Sequence, residues 1–450
     1  MEGTVHRARW ARLVAACALA GAMAAWAPAS MERSPGPTGS EVVATSATWR
    51  QVAEVRPPTD GSWALGSAVA LHADLLAVGP ARDWDLGQDQ GGVRLYARDG
   101  LAWREAGELR HPASDMQAQF GGAIAVDGTF MAIAAPRDGT RGFQAGCVFV
   151  YQRKGSRWLP HATLVRPRAA AGDLAGTAVA IHGRTLVVGV PKADEGGLDT
   201  GAVEVYELRD EAWVHAATLT APSARVGSFF GIAVAVDGGT VFVGAPGDDS
   251  DGPIAGRVHV YRRTGKGWGW DGSVGCPTGP RGWFGASVAA ADGLAVVGAP
   301  RAARPGATDA LVRGAAWSLQ RRNGTWTCQQ CFVPARPEEG DSIGCAIATD
   351  GRTVVLGATA DSVRGDLAGA AFAFTRQPGG AWRQQRLDPL AIGPASLVGH
   401  GLAVDGRWIA LGRLGDPEAD PAPGEVTMYH ASAASIADRP SAADTPRASP

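Results

Sequence analysis

Seven glycines recur along the chain, at Gly66, Gly121, Gly176, Gly231, Gly285, Gly344 and Gly399, with spacings of 55, 55, 55, 54, 59 and 55 residues. Thirteen residues after each stands Gly79, Ala134, Gly189, Gly244, Gly298, Gly357 or Gly412, and that interval never varies. A period of this length marks a repeat architecture, in which one unit cannot bury its own apolar faces and needs its neighbours. Between Gly231 and Gly244 lie a short strand, the turn Asp237-Gly238 and a second strand, TVFV. Asp-Gly tolerates the positive φ of a tight hairpin turn, and one inserted residue would exchange the two faces of a strand. The two outer glycines therefore meet at the open end of a hairpin. Its strands are apolar on both faces, which demands a neighbouring sheet on each side. Seven such units arranged radially meet that demand.

A further glycine opens an apolar-alternating run in each copy: GVRLY, GCVFVY, GAVEVY, GRVHVY, GAAWSL, GAAFAF and GEVTMY. A tryptophan then marks a fourth strand, at Trp49, Trp103, Trp158, Trp213, Trp268, Trp326 and Trp382. All five tyrosines (Tyr96, Tyr151, Tyr206, Tyr261, Tyr429) share one place in the third strand, and Leu319 and Phe374 take it in the remaining copies. A position that accepts Leu and Phe is core packing.

This constellation resembles the FG-GAP repeat of the integrin α-chain propeller and of many bacterial exported proteins. Phe120-Gly121, Phe230-Gly231 and Phe284-Gly285 keep the FG pair, and Gly244-Ala-Pro246 and Gly298-Ala-Pro300 keep the GAP triplet. The resemblance covers about residues 47–430. It implies an all-β fold, a seven-bladed β-propeller of four-stranded antiparallel blades. The array starts with an outer-type strand, TWRQVAEV from Thr48, and ends on a third strand, so the N-terminal strand is expected to close the ring as the outer strand of the seventh blade.

The flanks read differently. Residues 1–30 place Arg7, Arg9 and Arg12 before an apolar run from Leu13, the form of a secretory signal peptide and too short for a membrane span. Residues 31–46 read as a linker and 431–450 as a disordered tail. Export to the periplasm or the extracellular space follows from this reading. Five cysteines remain after such cleavage, Cys147, Cys276, Cys328, Cys331 and Cys345. The odd number prevents complete intrachain pairing, and Cys328-Gln-Gln-Cys331 reads as a local disulfide or as buried thiols.

Function is written more faintly. A net charge of −2 supplies no basic field for nucleic acid. The resemblance would bring calcium through a DxDxDG-like loop between first and second strands. That connection is here only a two-residue turn, at Asp127-Gly128, Asp237-Gly238, Asp350-Gly351 and Asp405-Gly406, with His72 and His182 in its place elsewhere. No metal and no cofactor is expected. Gly340-Asp-Ser342-Ile-Gly344 satisfies GxSxG, but Gly344 is the opening glycine of copy six, and no acid/base cluster can be assembled by repeat phase. Enzyme activity is not expected.

The segments after GAP break the repeat and carry acidic and aromatic residues onto one face. The candidate ligand-binding residues are Trp63, Asp83, Trp84, Asp85, Asp248, Asp249, Asp251 and Trp283. Loops on a rigid scaffold are where recognition concentrates. The chain reads as a monomeric, exported binding or adhesion module for a protein or surface ligand. A lectin-like glycan binder and a secreted hydrolase with a central-channel site are the alternatives.

Overall fold

The structure, a computed structural model, describes residues 48–432 apart from 57–64, 81–90, 114–117, 224, 304–313, 337–340, 391 and 415–423. The signal-peptide, linker and tail readings lie outside the described residues. Within them there is no helix, and every sheet has four antiparallel strands. Seven such sheets, blades 1 to 7, follow one another along the chain. First strands of successive blades touch in a closed ring, the seventh against the first. This is a seven-bladed β-propeller.

Blade 4 shows how the sequence makes the unit. Its first strand (Ala233–Asp237) turns at Asp237 into the second (Thr240–Ala245), pairing Ala233 with Gly244. The opening glycine closes the hairpin, Gly231 N–H donating to the Gly244 carbonyl at 2.9 Å. Five other blades repeat this bond, as at Gly121 to Ala134 and Gly285 to Gly298. The second strand is sandwiched. Val241, Val243 and Ala245 pack on blade 3, whereas Phe242 between them packs with Ala295, Val297 and Trp317 of blade 5. The phenylalanine of FG is the seam filler: Phe120, Phe230 and Phe284 are wholly buried, with Ile343 and Val398 in their place in blades 6 and 7.

The glycines owe their identity to the seams. A Cβ on Gly244 would stand 2.0 Å from the carbonyl oxygen of Gly285 in blade 5, and one on Gly189 1.9 Å from that of Gly231. The opening glycine is itself left-handed, with φ of 94° at Gly231. One glycine thus permits the turn of the backbone, and the other its close approach by the next blade.

Ring closure is as the N-terminal strand implies. Thr48–Val55 pairs antiparallel with Glu425–Ser432, the third strand of blade 7, from Thr48↔Ser432 to Val55↔Val426. Blade 6 also grips this strand: Trp49 N–H donates to Gln385 Oε1 at 2.9 Å, and Gln385 Nε2 donates to the Trp49 carbonyl at 2.6 Å. The phased tryptophans tie outer strands to the preceding blade, Trp326 against Phe242 and Trp213 against Phe130.

The two-residue turns do more than reverse the chain. Asp237 Oδ2 accepts a bond from Gly293 N–H of the next blade at 2.7 Å, and Asp405 Oδ2 one from Ala73 N–H at 2.5 Å across the closure. Asp127 accepts likewise from Gly183, and His72 Nε2 from Gly128 at 3.2 Å. Turn side chains therefore link neighbouring blades at the end of the ring opposite the GAP loops.

Candidate functional site

The GAP loops form the other face, and a backbone ladder holds them. Three consecutive residues of each described loop accept hydrogen bonds from the segment that leads into the next blade. Between blades 3 and 4 the carbonyls of Leu198, Asp199 and Thr200 accept from Gly227, Phe229 and Phe230 at 3.1, 3.2 and 3.3 Å. Phe143, Gln144 and Ala145 do the same for Gly172, Leu174 and Ala175. The ladder recurs from Pro253 to Ala255 and from Asp366 to Ala368. In each ladder the middle pair is left-handed at both ends, for example Asp199 (φ 51°) with Phe229 (φ 52°). Non-glycine residues reach this region only where their surroundings over-determine it.

Trp283 and Ser342 occupy that same left-handed place, two residues before the opening glycine, with φ of 56° and 59°. Ser342 is therefore a repeat position and no nucleophile elbow. Trp283 does not emerge on the loop face as its sequence position suggests. Its backbone N–H donates to the Ile254 carbonyl, the residue is only 9% exposed, and the Arg301 guanidinium lies 4.3 Å from its ring centre.

Asp248 also departs from the expectation of a free loop carboxylate. It stands seventeen residues after Gly231, a phase shared by Asp138 after Gly121 and Asp361 after Gly344. All three are buried. Each accepts from the backbone N–H two residues on, Ser250 to Asp248 at 2.9 Å and Thr140 to Asp138 at 2.9 Å. Each also faces a basic side chain from the sheet. His111 Nε2 lies 2.8 Å from Asp138, and Arg386 holds Asp361 with two bonds of 2.8 and 3.0 Å. Around Asp248 stand Arg257 at 3.7 Å and His259 at 3.9 Å. Burial alone would raise the Asp248 carboxyl, but the His259 and Ser250 contacts and the Arg257 charge outweigh it and hold the group far below its usual range. This aspartate fastens the GAP loop of blade 4 to the third strand of the same blade.

Asp249 and Asp251 do reach solvent, paired with Arg225 at 2.9 Å and Arg257 at 2.6 Å. Trp63, Asp83, Trp84 and Asp85 lie outside the described residues. Among the described residues no cluster of three metal-ligating side chains occurs.

What the face does offer is apolar. Phe143 and Leu198 occupy the same ladder position in blades 2 and 3 and are 72% and 64% exposed, and Val226 beside Leu198 is 71% exposed. Gly197, directly before Leu198, has a φ of 141° that favours glycine. Beside Phe143 a shallow depression of about 440 Å³ is lined by Arg141, Val165, Arg166, Pro167 and Ala169. Its floor is fully committed, because Arg166 donates to Asp173 at 2.8 Å, Glu204 at 3.1 Å and Glu195 at 2.5 Å. Phe143 and Leu198 are neither tryptophan nor aspartate, the types that marked this face in the sequence. Their signal was a large apolar residue directly before the left-handed position of a loop otherwise rich in glycine and acid.

Glu204 also accepts from His215 Nε2 and Thr218 Oγ1, both at 2.7 Å. The three residue types are those of a hydrolytic triad, but the carboxylate and the hydroxyl contact the same imidazole nitrogen. A relay needs them on opposite nitrogens.

No curated protein matches the chain. The family model described as FG-GAP repeat matches residues 158–206 and 213–261. Both matches run from the phased tryptophan of an outer strand to the tyrosine of the next blade's third strand, so each straddles a seam. Two matched units, in phase with five more that build the same four-stranded blade, show FG-GAP repeats within this seven-bladed β-propeller.

Proposed function

We propose that the chain is an exported, non-enzymatic binding module that engages a protein partner through the GAP-loop face of blades 2 to 4. The observation that carries the reading is the exposure of Phe143, Leu198 and Val226 on loops held by an inter-blade ladder. Large side chains presented on a rigid backbone lose little entropy on binding, and apolar anchors of this kind carry most of the energy of an interface. The paired carboxylates Asp249 and Asp251 stand at its edge as polar rim. Among the described residues no helix is long and apolar enough to cross a membrane.

The test is a binding comparison with the double variant Phe143→Ser, Leu198→Ser, using the immobilised full chain against outer-surface protein of the source cell and against a glycan array. Loss of one or two anchors lowers affinity at least about tenfold, while melting stays within about one or two degrees because both side chains are exposed. Unchanged affinity in the double variant excludes this face. A signal on the array that the variant abolishes assigns the face to a glycan instead.

A further inference from the structure

Three of the cysteines among the described residues meet at one seam. Cys276 follows the outer strand of blade 4 (Gly267–Gly275), and Cys328 and Cys331 lie on the outer strand of blade 5 (Thr325–Phe332). All three join one apolar cluster with Val274, Phe284, Trp317 and Leu319. Residues three apart on a regular strand face opposite ways. Here the pairing with the third strand slips by one between Trp317↔Cys331 and Leu319↔Cys328. The bulge leaves Gln329 and Gln330 exposed and turns both cysteines toward the cluster. The two outer strands are in register contact there, since a Cβ on Gly272 would stand 3.3 Å from the Trp326 ring, and Trp326 Nε1 donates to Asp271 at 2.8 Å.

Neighbouring seams reveal what this one lacks. Tyr206 of blade 3 donates its hydroxyl to the Val165 carbonyl at 3.0 Å, and Tyr261 of blade 4 donates to that of Thr220 at 2.6 Å. Each tyrosine bolts a third strand to the end of the preceding outer strand. In blade 5 Leu319 takes the tyrosine position and Gly275 stands where Val165 and Thr220 stand, directly before Cys276. Leu319 has no hydroxyl to donate. Its cross-strand partner is Cys328.

We propose that Cys276 and Cys328 form an inter-blade disulfide under oxidising conditions, bolting blades 4 and 5 where the tyrosine bond is missing. A small-molecule disulfide such as oxidised glutathione is the oxidant. The Cys276 thiolate attacks it and releases one glutathione thiol; Cys328 then attacks Cys276 Sγ and releases the second. One S–S bond forms, one breaks, and the two cysteine protons leave to solvent and the departing thiols. Burial, with Cys276 and Cys331 close by, pushes the Cys328 thiol up to about 12, so exchange is slow at neutral pH and faster in mild alkali. The adjacent pair Cys328–Cys331 is the poorer choice. It lies along one strand, opposite Leu319 and Trp317, so its closure would leave the two blades unfastened.

The experiment incubates the folded full chain with excess oxidised glutathione, digests it without reduction and maps cross-linked peptides by mass. The expected product joins the peptides of Cys276 and Cys328 and weighs two hydrogens less than their sum. It persists in Cys331→Ser and vanishes in Cys276→Ser. Melting should rise by a few degrees on oxidation of the parent and of Cys331→Ser, with no rise in Cys276→Ser or Cys328→Ser. A Cys328–Cys331 or Cys276–Cys331 linkage, mixed glutathione adducts alone, or five unreacted thiols each overturn the proposal.

Discussion

Asp248 shows how much one buried carboxylate can mean within a blade. It is buried, hydrogen-bonded by the Ser250 amide and faced by Arg257 and His259. Removing one partner from a buried charged cluster costs about 3 kcal/mol or more. Asp248→Asn should therefore lower the melting temperature markedly, and a thermal melt reads it directly. The pH dependence has a definite sign. Asp138 and Asp248 are both held below the ordinary value of 3.8, so the unfolded chain takes up protons first as acid is added. Their stabilisation is complete above that value and is lost as pH falls from about 4 through the lower folded values. Melting temperature recorded from pH 6 downward should fall more gently in Asp248→Asn than in the parent. Parallel acid limbs would mean that this carboxylate does not carry the acid response. At the same scale, Phe230→Ala removes a wholly buried ring between two blades and should cost about 3–5 kcal/mol.

At the scale of the element, the N-terminal strand is the one on which closure rests. It pairs with blade 7 along its length and is gripped by Gln385 of blade 6. A chain lacking residues 48–55 leaves the third strand of blade 7 as an open edge, which invites pairing with another chain. Deletion should lower the melting temperature and shift the sedimentation profile toward oligomers; a monomer melting at the parent temperature would remove the strand from the closure. The hairpin turns make a second prediction at this scale. Asp237 and Asp405 spend a carboxylate oxygen on a neighbouring turn, and Asp350 accepts from Arg352 and Thr353 within its own. Chelation with EDTA should leave the melting temperature unchanged, because these oxygens already have protein partners. A fall of several degrees would place a structural cation elsewhere in the loops.

For the whole molecule, the ring divides its two faces between different tasks. One carries turn side chains that link blade to blade, and the other carries the ladder of GAP loops with Phe143, Leu198 and Val226 above it. The interior between them is a series of seams filled alternately by the residues of the second strands. Binding through the loop face should leave that interior untouched. Partner affinity in Phe143→Ser, Leu198→Ser and melting in Phe230→Ala should therefore vary independently, and a correlated loss of both in either variant would tie the proposed site to the core.

Blade number, strand order within a blade and the closing strand were all legible in the chain alone, because each depends on local periodicity and on counting. The invariant interval from Gly231 to Gly244 is one hairpin long, and only one unpaired outer-type strand, at Thr48, was available to the last blade. The loop face was legible as a location; of its four described candidates, Asp249 and Asp251 reach solvent and Asp248 and Trp283 do not. Whether an aspartate after GAP or a tryptophan before the opening glycine meets solvent or a fastening partner depends on how the loop folds back onto its own blade, which no local pattern records. Asp248 and Trp283 turned inward to Arg257, His259 and Arg301, while Phe143 and Leu198, apolar by type, were left outside by the ladder. The same holds for the GAP glycine, whose need comes from a carbonyl 2.0 Å from its absent Cβ in the next blade, and for Cys328 and Cys331, which one bulge sets on a common face. Periodicity determines a blade, but the seam between two blades is decided only when both are in place.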